Sequence, residues 1–170
     1  MLDPLVAPLL WFSAIASGLI AGLSLAFTTF IPDALEKLDR RDSVAAMNAL
    51  ISGAVRSPFA VLFYAVSLSS LLLGVETIGR YMEFIQMDGF AFDHWMINFI
   101  VIGSGAYLFG VTLPTFTALG ALNWVFALKA ADFSHDEWTQ WLRVWKLLNV
   151  TRTFGALAST AMFAAALWSL

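Results

Sequence analysis

The stretch that decides the fold runs from Trp95 to Leu128 and reads WMINFIVIGSGAYLFGVTLPTFTALGALNWVFAL. It contains no charged side chain, and it is long enough to cross a bilayer once, because a spanning helix needs about 20 apolar residues. Three further stretches are also free of charge: Pro4 to Pro32, Ser57 to Val75, and Thr153 to Leu170. None has the alternating polarity of a membrane barrel strand, and in hydrocarbon the remaining way to satisfy the backbone is a helix. We therefore predict an all-α fold, an integral membrane four-helix bundle that forms a single membrane domain over residues 1–170, with spans near 5–31, 58–78, 96–128 and 147–169.

The composition agrees with a chain that lies in lipid. Of the 170 residues, 60% are hydrophobic and 12% are charged, whereas an average soluble domain has about 25% charged residues. The absence of cysteine excludes disulfide bonds and thiolate metal sites. With 9 basic and 12 acidic residues, the chain also lacks the basic surface that binds nucleic acid. No nucleotide-binding motif or nucleophile elbow is present, so we predict no cofactor.

The basic residues predict the orientation of the bundle. Eight of the nine lie in or beside the first and third connections, and only Arg80 lies in the middle one. Because cytoplasmic loops carry an excess of Lys and Arg, we expect the first and third connections in the cytoplasm and both termini and the middle loop outside. In a bacterium this means the inner membrane, with the middle loop in the periplasm. The two histidines, His94 and His135, then lie on opposite sides and cannot share a metal ion.

The connections carry their own signals. Residues Ser43 to Val55 predict an amphipathic helix along the membrane interface, with Ser43 as its N-cap. Ser134 to Glu137 is a capping-box sequence, so the last helix is expected to begin outside the membrane and continue into it. The middle loop, Glu76 to His94, is rich in acidic and aromatic residues, which fits either a docking segment or a cover on the bundle.

Two features predict how the helices pack. Pro114 lies near the middle of the third stretch, where it removes a backbone donor and favours a kink. Gly18 and Gly22 have the spacing that lets membrane helices approach closely, and we expect this contact to lie inside the bundle.

The last helix carries the strongest candidate for a functional site. Trp138, Trp141, Trp145, Asn149 and Arg152 are spaced by three or four residues and so form one stripe along the helix. A charged group at the membrane edge of a span either faces the bundle interior or extends its head to the interface, and both positions remain open for Arg152.

Other polar residues are expected at the depth of Arg152 and would line one pocket with it. They are Thr28 and Thr29 at the end of the first span, Arg56 at the start of the second, and Asn123 near the end of the third. The threonine hydroxyls can instead bond their own helix backbone. A pocket of this kind, walled by aromatic rings, suits a flat aromatic or quinone-like molecule. We predict Arg152 and Asn149 as its catalytic residues, and Trp145, Trp141, Thr28, Thr29, Arg56 and Asn123 as its substrate-binding residues.

Several strings resemble the anthrone oxygenase-like family of four-helix membrane proteins, long described as a domain of unknown function. They are GLIAGLSLAFTTF from Gly18, AAMNAL from Ala45, FGVTL from Phe109, and Trp145 followed by NVTRT from Asn149. The resemblance covers nearly the whole chain except the middle loop. It implies an enzyme that inserts oxygen into an anthrone to give an anthraquinone without metal or flavin, with Arg152 stabilising an oxyanion of the substrate and Asn149 positioning its oxygen.

Two functions are open at this point. The first is cofactor-free oxygenation, or binding, of a small aromatic molecule in the pocket beside Arg152. The second is a non-catalytic accessory subunit of a larger respiratory or photosynthetic membrane complex, which binds lipid, quinone or pigment. The second is favoured by two positions in the third helix, where the family has asparagines and this chain has Phe116 or Thr117, and Gly120.

Overall fold

A computed structural model describes residues 5–86 and 94–169 of the chain, and these residues form an all-α structure. The α-helices are α1 (Val6–Thr28), α2 (Phe30–Leu35), α3 (Arg40–Val55), α4 (Pro58–Gln86), α5 (His94–Tyr107), α6 (Gly120–Lys129) and α7 (His135–Trp168). Two π-helical segments, Leu108–Thr112 and Thr115–Leu119, connect α5 to α6. A short 3₁₀ turn, Ala130–Asp132, follows α6.

Four helical segments are long and apolar enough to cross a membrane. They are Val6–Leu35, Pro58–Met82, Trp95–Lys129 and His135–Trp168. Each overlaps one of the predicted spans, and the predicted fold class is confirmed.

The spans are arranged as a ring in which each contacts two neighbours. Helix α7 packs on α1 and α5, and α4 packs on the same two helices. Lipid removes most of the hydrophobic gain from helix association, so close packing and hydrogen bonds between helices must hold the ring. Hydroxyl pairs supply such bonds: Ser13 with Ser69 at 2.9 Å, and Ser17 with Thr160 at 2.9 Å. These bonds join α1 to both of its neighbours.

Glycines bring the third span against α7. A Cβ atom added at Gly155 would lie 2.8 Å from Cα of Gly110 and 3.0 Å from the carbonyl oxygen of Ala106. Only backbone lies on the other side of this contact, so no side chain can move away to make room. By contrast, Gly18 leaves ordinary space toward Thr160, and Gly22 has nothing within 4 Å of such an added atom. The predicted contact inside the bundle therefore involves Gly18 but not Gly22, and the tighter contact is the one at Gly155.

Pro114 does interrupt the regular helix of the third span. Because Pro114 lacks a backbone N–H, the α-helical bond to Gly110 cannot form, and the chain widens into a π-helical segment on each side. Two threonine hydroxyls bond nearby carbonyls, Thr115 to Val111 at 2.6 Å and Thr117 to Leu113 at 2.8 Å.

Helix α3 lies between the first two spans, as predicted, but its start differs from the prediction. It begins at Arg40 with Asp39 at the N-cap position, so the prediction that Ser43 caps it is wrong. Ser43 and Met47 are one turn apart on the same face, and both are buried. The helix thus starts four residues earlier than a cap at Ser43 would place it, and Ser43 lies inside the helix on its buried face.

Helix α7 begins at the predicted capping box. The Ser134 hydroxyl accepts the Glu137 amide at 3.2 Å, and the Glu137 carboxylate accepts the Ser134 amide at 2.7 Å. The helix has 34 residues and is therefore about 50 Å long, which exceeds the hydrocarbon thickness of about 30 Å. A helix of this length extends beyond the apolar layer, which is consistent with the expectation that its charged first turns lie outside.

Substitution of Gly155 by alanine tests the glycine contact. We expect Gly155→Ala to lower the free energy of unfolding by about 1–3 kcal/mol, because the added methyl group forces the two backbones apart. Gly22→Ala is the matched control on another span and should leave stability unchanged or slightly raised. Unfolding in mild detergent measures both variants, and equal stability of the two would contradict the contact.

Candidate functional site

Arg152 lies at the centre of α7, with 17 residues before it and 16 after it. Its side chain is only 6% exposed, so it points into the bundle and does not extend to the surface. One guanidinium nitrogen, Nη1, donates to Oδ1 of Asn149 at 2.9 Å, while Nε is buried and has no hydrogen-bond partner. Within residues 5–86 and 94–169, no carboxylate forms an ion pair with it. Arg152 is therefore a buried charge without an opposite charge beside it.

Asn149 positions this arginine. The asparagine is fully buried, and its amide nitrogen donates to the carbonyl of Trp145 at 2.9 Å while its oxygen accepts from Arg152. Both sides of the amide are therefore used within α7. Helical spacing explains the arrangement, since residues three and four apart lie on one face. Asn149 does not line the cavity described next.

A cavity opens beside Arg152, between α3, the start of α4, the second π segment and α7. It contains about 760 Å³ of empty space including its open mouth. Arg152, Trp145 and Asn123 line it together with aromatic and aliphatic side chains from the other elements. Three residues predicted from sequence, Asn123 of the third span and Trp145 and Arg152 of the fourth, thus line one cavity.

Each of these three lining residues has an unpartnered polar atom. The atoms are Nε of Arg152, Nε1 of Trp145 and Oδ1 of Asn123, and all three are shielded from solvent. Two are donors and one is an acceptor. Because a buried polar atom without a partner costs about 1–3 kcal/mol, the set is better explained by a ligand or water than by packing.

The remaining wall of the cavity is mostly apolar, apart from Thr115, whose hydroxyl is bonded to its own helix, and the hydroxyl of Tyr64. It contains several aromatic residues that the sequence alone did not single out, namely Phe27, Phe59, Phe63, Tyr64 and Phe116. Phe116 lies in the second π segment, and its ring centroid is 5.9 Å from that of Phe63 and 6.1 Å from that of Tyr64. The interruption at Pro114 therefore supplies part of the cavity wall.

Tyr107 was also missed. It is fully buried in the centre of the bundle, its hydroxyl has no hydrogen-bond partner, and it lies within electrostatic range of Arg152. One sequence feature could have pointed to Tyr107: it is the only tyrosine in the charge-free stretch from Trp95 to Leu128.

Besides Asn149, four predicted site residues do not line the cavity. Trp141 lies in an aromatic cluster, where it stacks on Trp138 and Trp145 and donates its indole N–H to the carbonyl of Leu122 at 3.2 Å. Thr28 and Thr29 both donate to the carbonyl of Leu25 at 2.8 Å, which is the backbone bonding that the sequence left open. Arg56 directly follows α3 and is exposed.

The aromatic cluster closes one end of the bundle, which we call the α3 end. It comprises Leu35, Met47, Leu119, Phe126, Phe133, Trp138, Trp141, Leu142 and Trp145. Phe126 and Trp141 are its tightest ring pair, with centroids 4.5 Å apart. Three tryptophans of the predicted stripe, Trp138, Trp141 and Trp145, therefore belong to the packed cluster at that end, and Trp145 also lines the cavity.

Metal binding has no support in the described parts of the chain, where no three His, Asp or Glu side chains are grouped as ligands. Of the predicted middle loop, Glu76 to His94, residues 76–86 instead continue α4 and His94 begins α5, so the loop prediction is wrong there, while residues 87–93 lie outside the described residues. No protein-family profile, curated protein or solved structure matches the chain. The resemblance to anthrone oxygenase-like proteins therefore stays a prediction.

Replacing Arg152 by methionine tests whether the arginine serves the fold. We expect the free energy of unfolding of Arg152→Met to equal or exceed that of the wild type, because the desolvated charge receives only one hydrogen bond in return. Arg143→Met, at an exposed position of the same helix, is the control and should change little. A loss of more than about 2 kcal/mol in unfolding experiments on Arg152→Met alone would assign Arg152 a structural role.

Proposed function

We propose that this four-span membrane protein binds a small aromatic molecule with an acidic oxygen beside Arg152 and oxygenates it without a cofactor. The observation that carries the proposal is a buried guanidinium, unpaired with any carboxylate in the described residues, that lines an aromatic cavity. A charge in such a position is costly and marks function more often than stability.

The unpartnered atoms around the cavity match such a ligand. A phenolate oxygen accepts hydrogen bonds, and Arg152 and Trp145 each have a free donor for it. A second hydroxyl on the ligand has an acceptor in Oδ1 of Asn123. Since Arg152 carries a permanent charge in a low-dielectric site, it favours the ionised form of the ligand over the neutral form.

The oxygenation then follows from the chemistry of the bound anion. An anthrone loses a proton to solvent, and the resulting electron-rich anion transfers one electron to dioxygen. The substrate radical and superoxide combine to form a carbon–oxygen bond, and protonation gives a hydroperoxide. Loss of water breaks the oxygen–oxygen bond and leaves a carbonyl, so one anthrone and one dioxygen give one anthraquinone and one water.

In this mechanism the side chains bind and orient. Arg152 contacts the substrate oxygen and stabilises its negative charge, as an oxyanion hole does. Asn149 acts through Arg152, since both sides of its amide are already bonded within α7. The apolar walls exclude water and so protect the radical pair.

Oxygen consumption tests the proposed reaction. Purified protein in detergent is expected to consume oxygen when anthrone is added, and Arg152→Met should lower the rate about 100- to 1000-fold because the oxyanion loses its main donor. Arg143→Met should retain the wild-type rate. An unchanged rate in Arg152→Met would remove Arg152 from the mechanism, and an inactive wild type that purifies with other chains would favour the accessory-subunit function.

The same proposal includes an orientation. The excess of basic residues in the first and third connections supports a cytoplasmic position for these connections, and so for the α3 end of the bundle, in a bacterial inner membrane.

Labelling of single cysteines tests the orientation, and the natural chain has none to remove. In intact cells, a membrane-impermeant maleimide should label Asp88→Cys in the middle connection and should not label Asp132→Cys in the third. Both should be labelled after the membrane is opened. The reverse pattern in intact cells would invert the orientation.

A further inference from the structure

The mouth of the cavity is rimmed by exposed apolar and aromatic side chains. Tyr64 is 56% exposed, Phe116 is 57% exposed and Val55 is 70% exposed. Tyr64 and Phe116 lie within the segments Pro58–Met82 and Trp95–Lys129, which are long and apolar enough to span the membrane. Side chains exposed in such segments face lipid, so this part of the mouth opens toward the bilayer.

The interior and the mouth of the cavity differ in polarity. Among the described residues that line the cavity, the one charged residue, Arg152, is buried, and those that are exposed are apolar or aromatic. A mouth that opened to water would be expected to expose polar groups at its rim. The cavity thus has a polar interior and an apolar entrance.

The packed aromatic cluster adjoins the cavity at the α3 end, because Leu119 and Trp145 belong to both. Met47, Phe126 and Trp141 are buried in the aromatic cluster that lies on that side of the cavity. At the rim, by contrast, the rings of Tyr64 and Phe116 pack against each other and against Phe63, with the centroids of the first two 6.1 Å apart. Both rings are more than half exposed, so they can turn aside more easily than the packed cluster.

We propose that the ligand is an amphiphile dissolved in the membrane. Its acidic ring binds at Arg152, and its hydrocarbon chain leaves past Tyr64 and Phe116 into the bilayer. This inference rests on the proposed function and narrows its substrate class from a small aromatic molecule to a phenol or hydroquinone that carries an alkyl chain.

Two hydroquinones that differ only in the chain provide the test. Binding of 2-methyl-1,4-hydroquinone and 2-decyl-1,4-hydroquinone is measured on the full-length protein in lipid nanodiscs. The affinity for each compound is expressed relative to the total concentration of that compound added to the aqueous sample. Signal that remains in Arg152→Met is subtracted, because it reports partition into lipid alone. We expect the decyl compound to bind at least about tenfold more tightly, since its chain need not leave the bilayer.

A pair of variants at lipid-facing positions tests where the alkyl chain of the ligand lies. Phe116→Ala should weaken binding of the decyl compound about tenfold and binding of the methyl compound clearly less, because the alkyl chain of the ligand passes this ring at the rim. Phe109→Ala is the control, since Phe109 lies on the same span, is 72% exposed and does not line the cavity. Neither side chain is buried, so neither substitution removes part of the core.

The outcomes separate the two proposals. Equal binding of both compounds that depends on Arg152 and ignores Phe116 would overturn the membrane entrance and leave the proposed function standing. Binding of neither compound above the Arg152→Met background would remove the proposed function and this inference together.

Discussion

The contact between Gly110 and Gly155 fixes the arrangement on which the rest of the molecule depends. In lipid, helices associate through close packing, and here two backbones approach so closely that a single methyl group does not fit. Gly155 is one turn from Arg152 on α7, so the face that meets the third span also turns the guanidinium inward. The burial of this charge is therefore a consequence of helix packing at a neighbouring position.

The third span serves two purposes that conflict in a regular helix. It must pack on α7 at Gly110, and four residues later it must leave room for the cavity. The π-helical segments around Pro114 resolve the conflict, because they change the direction in which Thr115, Phe116 and Leu119 project. The same proline that interrupts the helix thus shapes the wall opposite Arg152, and the cavity and the tight packing contact can exist on one span.

The sequence predicted the parts of this account that depend on local pattern. Charge-free length predicted the spans, the capping box predicted the start of α7, and helical spacing predicted that Trp145, Asn149 and Arg152 share a face. Depth in the membrane was less informative, because it does not say which way a side chain points. Thr28 and Arg56 were expected at the right depth, yet the former bonds its own backbone and the latter is exposed. The walls from Phe63, Tyr64 and Phe116 depend on contacts between different spans, and no spacing within one helix reveals them.

The central claim is that Arg152 is kept in the bundle as a ligand-binding charge. The most direct measurement is the side-chain Nε–H resonance of Arg152, identified among the six arginines by its loss in Arg152→Met, during titration of the protein in nanodiscs with 2-decyl-1,4-hydroquinone. The account predicts a saturable shift of this resonance, because its N–H has no partner in the protein and gains one from the ligand. A resonance that stays unchanged while binding is observed would contradict it.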